Sequence, residues 1–395
     1  MFDEKHKIVF GNKSPKVVRD VPFSEKNLDF LSDLSKFIFK KKTLIKYPEI
    51  ISFAYWCRRA NLMRMKSNHN SNEIRFGKGL VFHIVPSNVP INFAYSFAFG
   101  LLAGNSNIIR MSSRKAKSTK VLCDLIKILL KKKKYKNLYN SNCILSYEKE
   151  TNITDLLSCI SDVRMIWGGD KTIKKIKSLP SKSSSVDISF PDKYSISMID
   201  LNKINKKNII NLVNNFFNDS FVMDQNACSS PHMIIWINKN IKNIRKVDLF
   251  WRSLLKIVNT KYTFSDDMIY KKITRNYENI VNLNETIKSS KNYGEKINVT
   301  TLKKITKNID KIRGIFGSFY QYYSKNFNCL KNIKSEKLQT ISYFGMSKNQ
   351  VKDIIYKYNL NQISRVVPIG KSLDLNLIWD GYDLIESMTN TIKIE

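Results

Sequence analysis

"GLVFHIVPSNVPINFAYSFAFGLLAGNSNIIRMSSR", residues 79–114, decides the fold class. Its first run, "GLVFHIV" (79–85), predicts a strand, which "PSNVP" breaks. "INFAYSFAFGLLAG" (91–104) predicts a buried helix closed by Gly104 as its C-terminal cap, and "SNIIRMS" (106–112) predicts the next strand. Two mostly apolar strands joined through a helix imply a parallel sheet covered on both faces.

The alternation continues on both sides of this stretch. Downstream come a helix around "KSTKVLCDLIKILLKKKK" (117–134), the strand "NCILSY" (142–147) and the helix "ITDLLSCI" (153–160). "VRMIW" (163–167) is a strand, and "GGD" then turns into the helix "KTIKKIKSL" (171–179). "VDISF" (186–190), "YSISMID" (194–200) and "HMIIWI" (232–237) read as strands; "IINLVNNFF" (209–217) and "VDLFWRSLLKIVNT" (247–260) read as helices. Beyond 265 the pattern loosens: "ITRNYENIVNLNETI" (273–287) is helical and "FGSFYQYYS" (316–324) is ambiguous. "ISRVVPIG" (363–370) gives a last strand, and "LIWDGYDLIESM" (377–388) a closing helix. Upstream, residues 1–75 read as helical, from "LDFLSDLSKFIFKK" (28–41) and "ISFAYWCRRANLM" (51–63).

At 395 residues, 43% hydrophobic and 11% aromatic, the chain has enough apolar material for a sizeable core. Its 67 Lys and Arg against 33 Asp and Glu give a net charge of +34, which attracts nucleic acid, anionic membranes, nucleotide cofactors or acidic carriers. Lysine, isoleucine and asparagine are spread throughout, as in "NKINKKNIINLVNN" (202–215), so the excess reads as compositional bias and no nucleic-acid partner is expected. The six cysteines form no CxxC pair, so neither a metal site nor a disulfide framework is expected. The opening "MFDEKHKIVFGNKS" is too charged for a signal peptide, and no apolar run approaches the roughly 20 residues of a membrane span. A soluble, cytoplasmic protein is expected.

Parallel sheets of this type bind ligands at the carboxyl ends of their strands, which here are "PSN", "SSR" and "GGD". These ends put Ser87, Ser112, Gly168 and Gly169 forward for a nucleotide, although GxGxxG is absent. Gly168 and Gly169 directly follow a strand and open a helix, where backbone approach and the helix N-terminus favour a phosphate; a plain structural turn fits them equally. Asn88, stiffened by prolines on both sides, either donates to an oxyanion or closes a turn. In "DQNACSSPH" (224–232), Cys228 lies between a helix and a strand, whereas Cys57, Cys123, Cys143 and Cys159 fall inside predicted elements. It is either a nucleophile or a small buried side chain, and His232 is either its base or a packed ring.

Taken in order, "VFHIVPSNVPINFAYSFAFGLLAGNSNIIRMSSR" (81–114), "IWGGDKTIKKI" (166–176), "VDISFPDKYSISMID" (186–200), "DQNACSSPH" (224–232), "LQTISYFG" (338–345) and "RVVPIG…WDG" (365–381) resemble the LuxC-type fatty acyl-CoA reductases of the aldehyde dehydrogenase superfamily. The resemblance implies an aldehyde dehydrogenase-like α/β fold, with a Rossmann-like parallel-sheet cofactor domain and an α/β catalytic domain. It places a helical lead-in and NADP-binding domain at 1–185, a catalytic domain with the nucleophilic cysteine at 186–345, and a segment closing back on the core at 346–395. Cys228 would attack an acyl thioester, and Asn88 with the Cys228 backbone N–H would form the oxyanion hole. Gly168 and Gly169 match the turn that passes the pyrophosphate, and Arg110 matches the basic residue near the adenosine ribose. Arg110, Ser112, Ser113 and Arg114 would welcome a 2′-phosphate, so NADPH is the expected cofactor, with no metal.

The implied activity is reduction of a long-chain fatty acyl-CoA, or acyl carrier protein thioester, to the aldehyde. The implied assembly is a homo-oligomer or a complex with acyl-transferring enzymes. Two positions depart from the superfamily. Where hydrolytic relatives carry a glutamate base, "VDISF" offers Asp187 and Ser189, and Gln339 stands in place of the acid that holds the nicotinamide ribose. The alternatives are an aldehyde-oxidising dehydrogenase or an acyltransferase using the same cysteine, or a non-catalytic basic binding protein.

Overall fold

The apolar runs of the amino-terminal half become one sheet in the computed structural model, which describes residues 6–12, 14–69, 73–86, 89–112, 116–148, 152–238, 244–306, 309–333 and 335–394. The chain begins with β1 (His6–Gly11), α1 (Glu25–Phe39), α2 (Pro48–Trp56), α3 (Arg59–Asn68), β2 (Ile74–Gly77), β3 (Leu80–Ile84) and α4 (Asn92–Leu102). It continues through β4 (Ser106–Met111), α5 (Lys117–Leu130), α6 (Lys136–Ser141), β5 (Asn142–Tyr147), α7 (Ile153–Ile160), β6 (Val163–Trp167), α8 (Asp170–Lys177) and β7 (Val186–Phe190). The strand order is β1-β5-β4-β3-β6-β7, parallel except for β1. From β3 the chain runs outward to β4 and β5, then returns to β6 on the other side of β3. Ile84 is in register with both Arg110 and Ile166, so the carboxyl ends of β4, β3 and β6 lie side by side at the reversal. Such a reversal is where open α/β sheets take ligands.

The first 75 residues are less helical than expected. β1 pairs antiparallel with β5 and buries Phe10, whose ring lies 6.4 Å from that of Phe97. The helix expected over 51–63 is interrupted where Arg58 turns extended (φ −59°, ψ 136°). Gly104 ends its helix at φ +81°, a conformation that favours glycine. Beneath the strand ends runs a buried polar network. The Ser96 hydroxyl lies 2.7 Å from His83 Nδ1 and accepts from Trp167 Nε1 at 3.1 Å, and His83 Nε2 lies 2.8 Å from Asn107 Oδ1. Burial pushes the His83 imidazole down to about 4, so it is neutral at physiological pH.

The later residues build a second unit around β8 (Tyr194–Asp200), α9 (Ile209–Phe221), β9 (Pro231–Ile237), α10 (Ile244–Lys261), α11 (Asp266–Leu283) and β10 (Ile287–Tyr293). It is completed by β11 (Ile297–Leu302), β12 (Ser318–Ser324), β13 (Leu338–Phe344), α12 (Lys348–Lys357) and β14 (Arg365–Pro368). The seven strands follow the order β10-β11-β12-β9-β8-β13-β14, and only β10 and β11 pair antiparallel. The ambiguous aromatic run becomes β12. Its Gln321 side chain is buried and accepts from the indoles of Trp236 and Trp251 at 2.8 and 3.0 Å while donating to Thr301.

The chain closes with β15 (Ile378–Trp379), β16 (Tyr382–Asp383), α13 (Leu384–Ser387) and β17 (Thr389–Ile392). The closing helix is a single turn capped by Asp383, and β17 pairs with β2. The two units comprise 1–191 with 376–395, and 192–375. The expected boundaries at 185/186 and 345/346 fall inside them, because β7 pairs with β6 and β14 with β13. No helix among the described residues is long and apolar enough to cross a membrane, and no cluster of His, Cys, Asp and Glu among them is placed to hold a metal.

One ion pair joins β6 to β7. Arg164, 3% exposed, donates Nε and Nη2 to the two oxygens of Asp187 at 2.6 and 2.7 Å, and Nη1 to the carbonyls of Ile176 and Leu179. Asp187→Ala leaves that guanidinium buried without its counter-charge. It should lower stability by about 3 kcal/mol, measured as a lower urea midpoint.

Candidate active site

In the first unit, the strand ends gather the residues proposed for a cofactor. Arg110 is the penultimate residue of β4, and Ser112 follows the strand; Gly168 and Gly169 lead from β6 into α8. Ser87, Asn88, Ser113 and Arg114 lie outside the described residues. The Arg110 guanidinium stacks 5.1 Å above the Tyr147 ring, and its Nε is buried without a hydrogen-bond partner among the described residues. A buried cationic donor in this state suits an anionic or hydroxyl-bearing ligand.

The glycines differ in what holds them. Gly168 N–H donates to the Phe190 carbonyl at 3.2 Å, and a Cβ there would come within 3.3 Å of Thr172. Gly169 is the N-cap of α8 at φ −69°, a value any residue adopts, and a Cβ there would meet nothing within 4 Å. Neither backbone geometry nor packing therefore demands glycine at 169. The clear space lies over a helix N-terminus, where a phosphate is favoured, although Asp170 adds an acid to the first turn. The residues present fit a nicotinamide dinucleotide: an open backbone turn for the pyrophosphate after β6 and, at the end of β4 on the other side of β3, an arginine whose buried Nε has no partner among the described residues.

In the second unit, the loop from α9 to β9 carries Cys228, which is partly exposed. Asp224 and Gln225 both take left-handed conformations, at φ 54° and 58°, without being glycine. Each costs about 1–2 kcal/mol, so contacts must hold them. The buried Gln225 amide accepts from Gly317 N–H at 2.8 Å and donates to the Ser318 carbonyl at 3.1 Å, while its own N–H donates to the Ser220 carbonyl at 2.8 Å. Asp224 accepts from the Tyr262 hydroxyl. The Cys228 carbonyl in turn accepts from the buried Ser195 hydroxyl at 2.7 Å.

His232 is a packed ring. It is 2% exposed, stacks on Tyr194 with centroids 5.3 Å apart, and donates Nδ1–H to the Gly314 carbonyl at 3.0 Å. Burial, reinforced by the Arg313 charge, pushes it down to about 3, so it is neutral. Asp187 is held by Arg164, and Gln339 is buried in β13. The sequence reading missed Gln225, Ser195 and Asp219. The first two lie inside quoted motifs but resemble ordinary polar residues until their distant partners are known. Asp219, buried in α9, accepts from Gly370 N–H, Ser372 N–H and the Ser372 hydroxyl at 2.7, 2.9 and 3.0 Å.

The two largely parallel sheets form an aldehyde dehydrogenase-like fold. Solved structures agree in fold: aldehyde dehydrogenase 21 from Physcomitrella patens and lactaldehyde dehydrogenase from Escherichia coli each match at 12% identity and TM-score 0.64, over 93% of this chain and 85% of theirs. The glyceraldehyde-3-phosphate dehydrogenase GapN from Methanocaldococcus jannaschii, solved with NADP, matches at 14% and 0.58, over 93% of this chain and 88% of its own. Comparison with curated protein sequences finds no match. Residues 49–391 match the LuxC acyl-CoA reductase family, and the chain belongs to it. It is thus an oxidoreductase-type protein acting on acyl or aldehyde groups.

Two measurements probe these placements. Gly169→Ala should change stability by less than about 1 kcal/mol, yet weaken binding of a nicotinamide dinucleotide about tenfold or more by titration, because the added methyl enters the clear space. For Asp219, burial raises the carboxyl to about 6 from 3.8. The folded chain therefore holds that proton more tightly than the unfolded chain. The associated stability is fully present below about pH 4 and is lost as pH rises through about 6. Relative to the parent, Asp219→Asn should gain about 3 kcal/mol between pH 4 and 6, read from paired denaturation curves.

Proposed function

We propose that the protein reduces a long-chain fatty acyl thioester, carried on coenzyme A or acyl carrier protein, to the aldehyde through an acyl thioester on Cys228, with NADPH as reductant. The observation that carries this reading is the strained, side-chain-clamped loop that presents a partly exposed Cys228.

Cys228 Sγ attacks the substrate carbonyl. The Cys228 main-chain N–H and the Asn88 amide donate to the developing oxyanion, each worth about 3 kcal/mol of transition-state stabilisation. Collapse forms the Cys228 acyl thioester and expels the carrier thiolate, which takes up the proton lost by the cysteine. His232 takes no part in that transfer, since its ring is buried and its Nδ1 is bonded to Gly314. NADPH held by Arg110, Gly168 and Gly169 would supply a hydride to the acyl carbon. Cys228 would then carry a hemithioacetal whose C–S bond breaks to release the aldehyde and the Cys228 thiolate, which takes a proton from solvent.

The preference for NADPH is supported by Arg110, whose buried Nε has no partner among the described residues, with Ser112 close by in sequence. A guanidinium recognises a 2′-phosphate by charge and by its fork of donors. Gly168 and Gly169 are assigned to the pyrophosphate, and Ser87 to the same cofactor. The reductive reading is favoured over aldehyde oxidation because both Asp187 oxygens are bonded to Arg164, leaving that carboxylate poorly placed to activate water.

The test is acylation by a panel of labelled acyl-CoA thioesters, with trapping of the protein-bound acyl group, followed by NADPH or NADH. The parent should label, and NADPH should release aldehyde faster than NADH. Cys228→Ala should not label; equal labelling of that variant would exclude the acyl-cysteine mechanism.

A further inference from the structure

We infer that Ser195 is a positioning residue for the nucleophile, aligning Cys228 through its carbonyl; this rests on Cys228 being the acylated residue. Ser195 is 1% exposed and lies near the start of β8, where the pairing on both sides slips. Toward β9 it opposes Pro231, after which the register jumps to Ile196 opposite Met233. Toward β13 the register passes from Tyr194 opposite Leu338 to Ile196 opposite Ile341, so Gln339 and Thr340 together face Ser195. Two residues facing one make a β-bulge, a local break in the ladder.

The Ser195 hydroxyl bridges this break. It accepts from Thr340 N–H at 3.2 Å and donates to the Cys228 carbonyl at 2.7 Å. A hydroxyl supplies one donor and acceptor lone pairs, and here both capacities are used in one line from β13 to the cysteine loop.

The effect on chemistry follows from where the bond falls. Holding the carbonyl of residue 228 fixes the 228–229 peptide plane and hence ψ of Cys228. The preceding side of the same residue is steadied by the Gln225 clamp and by the Ala227–Ser230 turn, in which Ser230 N–H donates to the Ala227 carbonyl at 2.9 Å. With both flanks held, the Cα–Cβ direction is set, and Sγ can be aimed at an incoming carbonyl. Near-attack alignment of this sort is worth one to two orders of magnitude in rate, and a displacement of about 1 Å loses it. Gln225 sets the loop's path; Ser195 sets the angle of the one residue that reacts.

Alanine and threonine at 195 test this. Single-turnover acylation by acyl-CoA without reductant measures alignment, while alkylation of Cys228 by iodoacetamide, a small reagent tolerant of direction, measures thiol access and ionisation. Ser195→Ala should acylate about 10- to 100-fold more slowly, with little change in the acyl-CoA concentration at half-maximal rate and with alkylation within about twofold of the parent. Ser195→Thr, which keeps the hydroxyl, should acylate faster than Ser195→Ala. Unchanged acylation in Ser195→Ala would overturn the inference, as would equal losses of acylation and alkylation, which mark a collapsed loop. The underlying assignment is checked apart from this: if Cys228→Ala still acylates, the nucleophile is wrong, whereas an inert Cys228→Ala beside a fully active Ser195→Ala removes only Ser195.

Discussion

The buried amide of Gln225 holds the second unit's loop in a shape that its backbone would not choose. Asp224 and Gln225 occupy left-handed conformations in succession, at a combined cost of about 2–4 kcal/mol. Gln225 is bonded to Gly317 and Ser318 at the start of β12, and Asp224 to Tyr262 beyond α10. Net hydrogen bonds inside a protein are worth about 1 kcal/mol each, so this small set is of the size needed to offset the strain. Without it, the chain between α9 and β9 would relax toward an ordinary turn. The position of Cys228, and every contact made through its carbonyl, follows from that clamp.

The first unit works by a different economy of contacts. Its candidate cofactor residues stand at strand ends, and their arrangement comes from strand order rather than from side-chain clamps. Because β4 and β6 flank β3 and all three run the same way, the ends of β4 and β6 at Arg110 and the Gly168–Gly169 turn come to lie on either side of β3, and Val85 N–H, just past β3, donates to the Arg110 carbonyl at 3.5 Å. Support comes from below, where Ser96 ties the helix after β3 to His83 and to Trp167, the residue before the turn. A neutral His83 suits this task, since a buried charge there would lack a counter-ion.

Most of the first sheet was legible because its strands are buried on both faces and so read as apolar runs with sharp ends. β5, β6 and β7 coincide with "NCILSY", "VRMIW" and "VDISF". What escaped is polar or edge-placed. β10, "IKSSKNY", has five exposed residues in a row, and its strand character comes from pairing with β11. β1 occupies the opposite situation, a short edge strand before a helical region. The site divides in the same way. Cys228 and the glycines were visible because their residue types carry chemistry by themselves. Gln225 and Ser195 were not, because their roles depend on partners 92 and 33 positions away along the chain. His232 stayed open for the same reason until Tyr194 and Gly314 were found around it.

The Arg164–Asp187 pair links the architecture of the first unit to the outcome of the proposed reaction. An acyl-cysteine has two fates, attack by activated water or attack by hydride, and a carboxylate base decides for water. To serve as that base, Asp187 would have to leave a bidentate pair and abandon a guanidinium that is 3% exposed. Breaking a buried pair in this way costs about 3–5 kcal/mol. At about 1.4 kcal/mol per factor of ten, hydrolysis through Asp187 is slowed by roughly two to four orders of magnitude. The bonds that fasten β6 to β7 thus also keep the only acid of that strand occupied, which favours the reductive reading proposed above over a hydrolytic one.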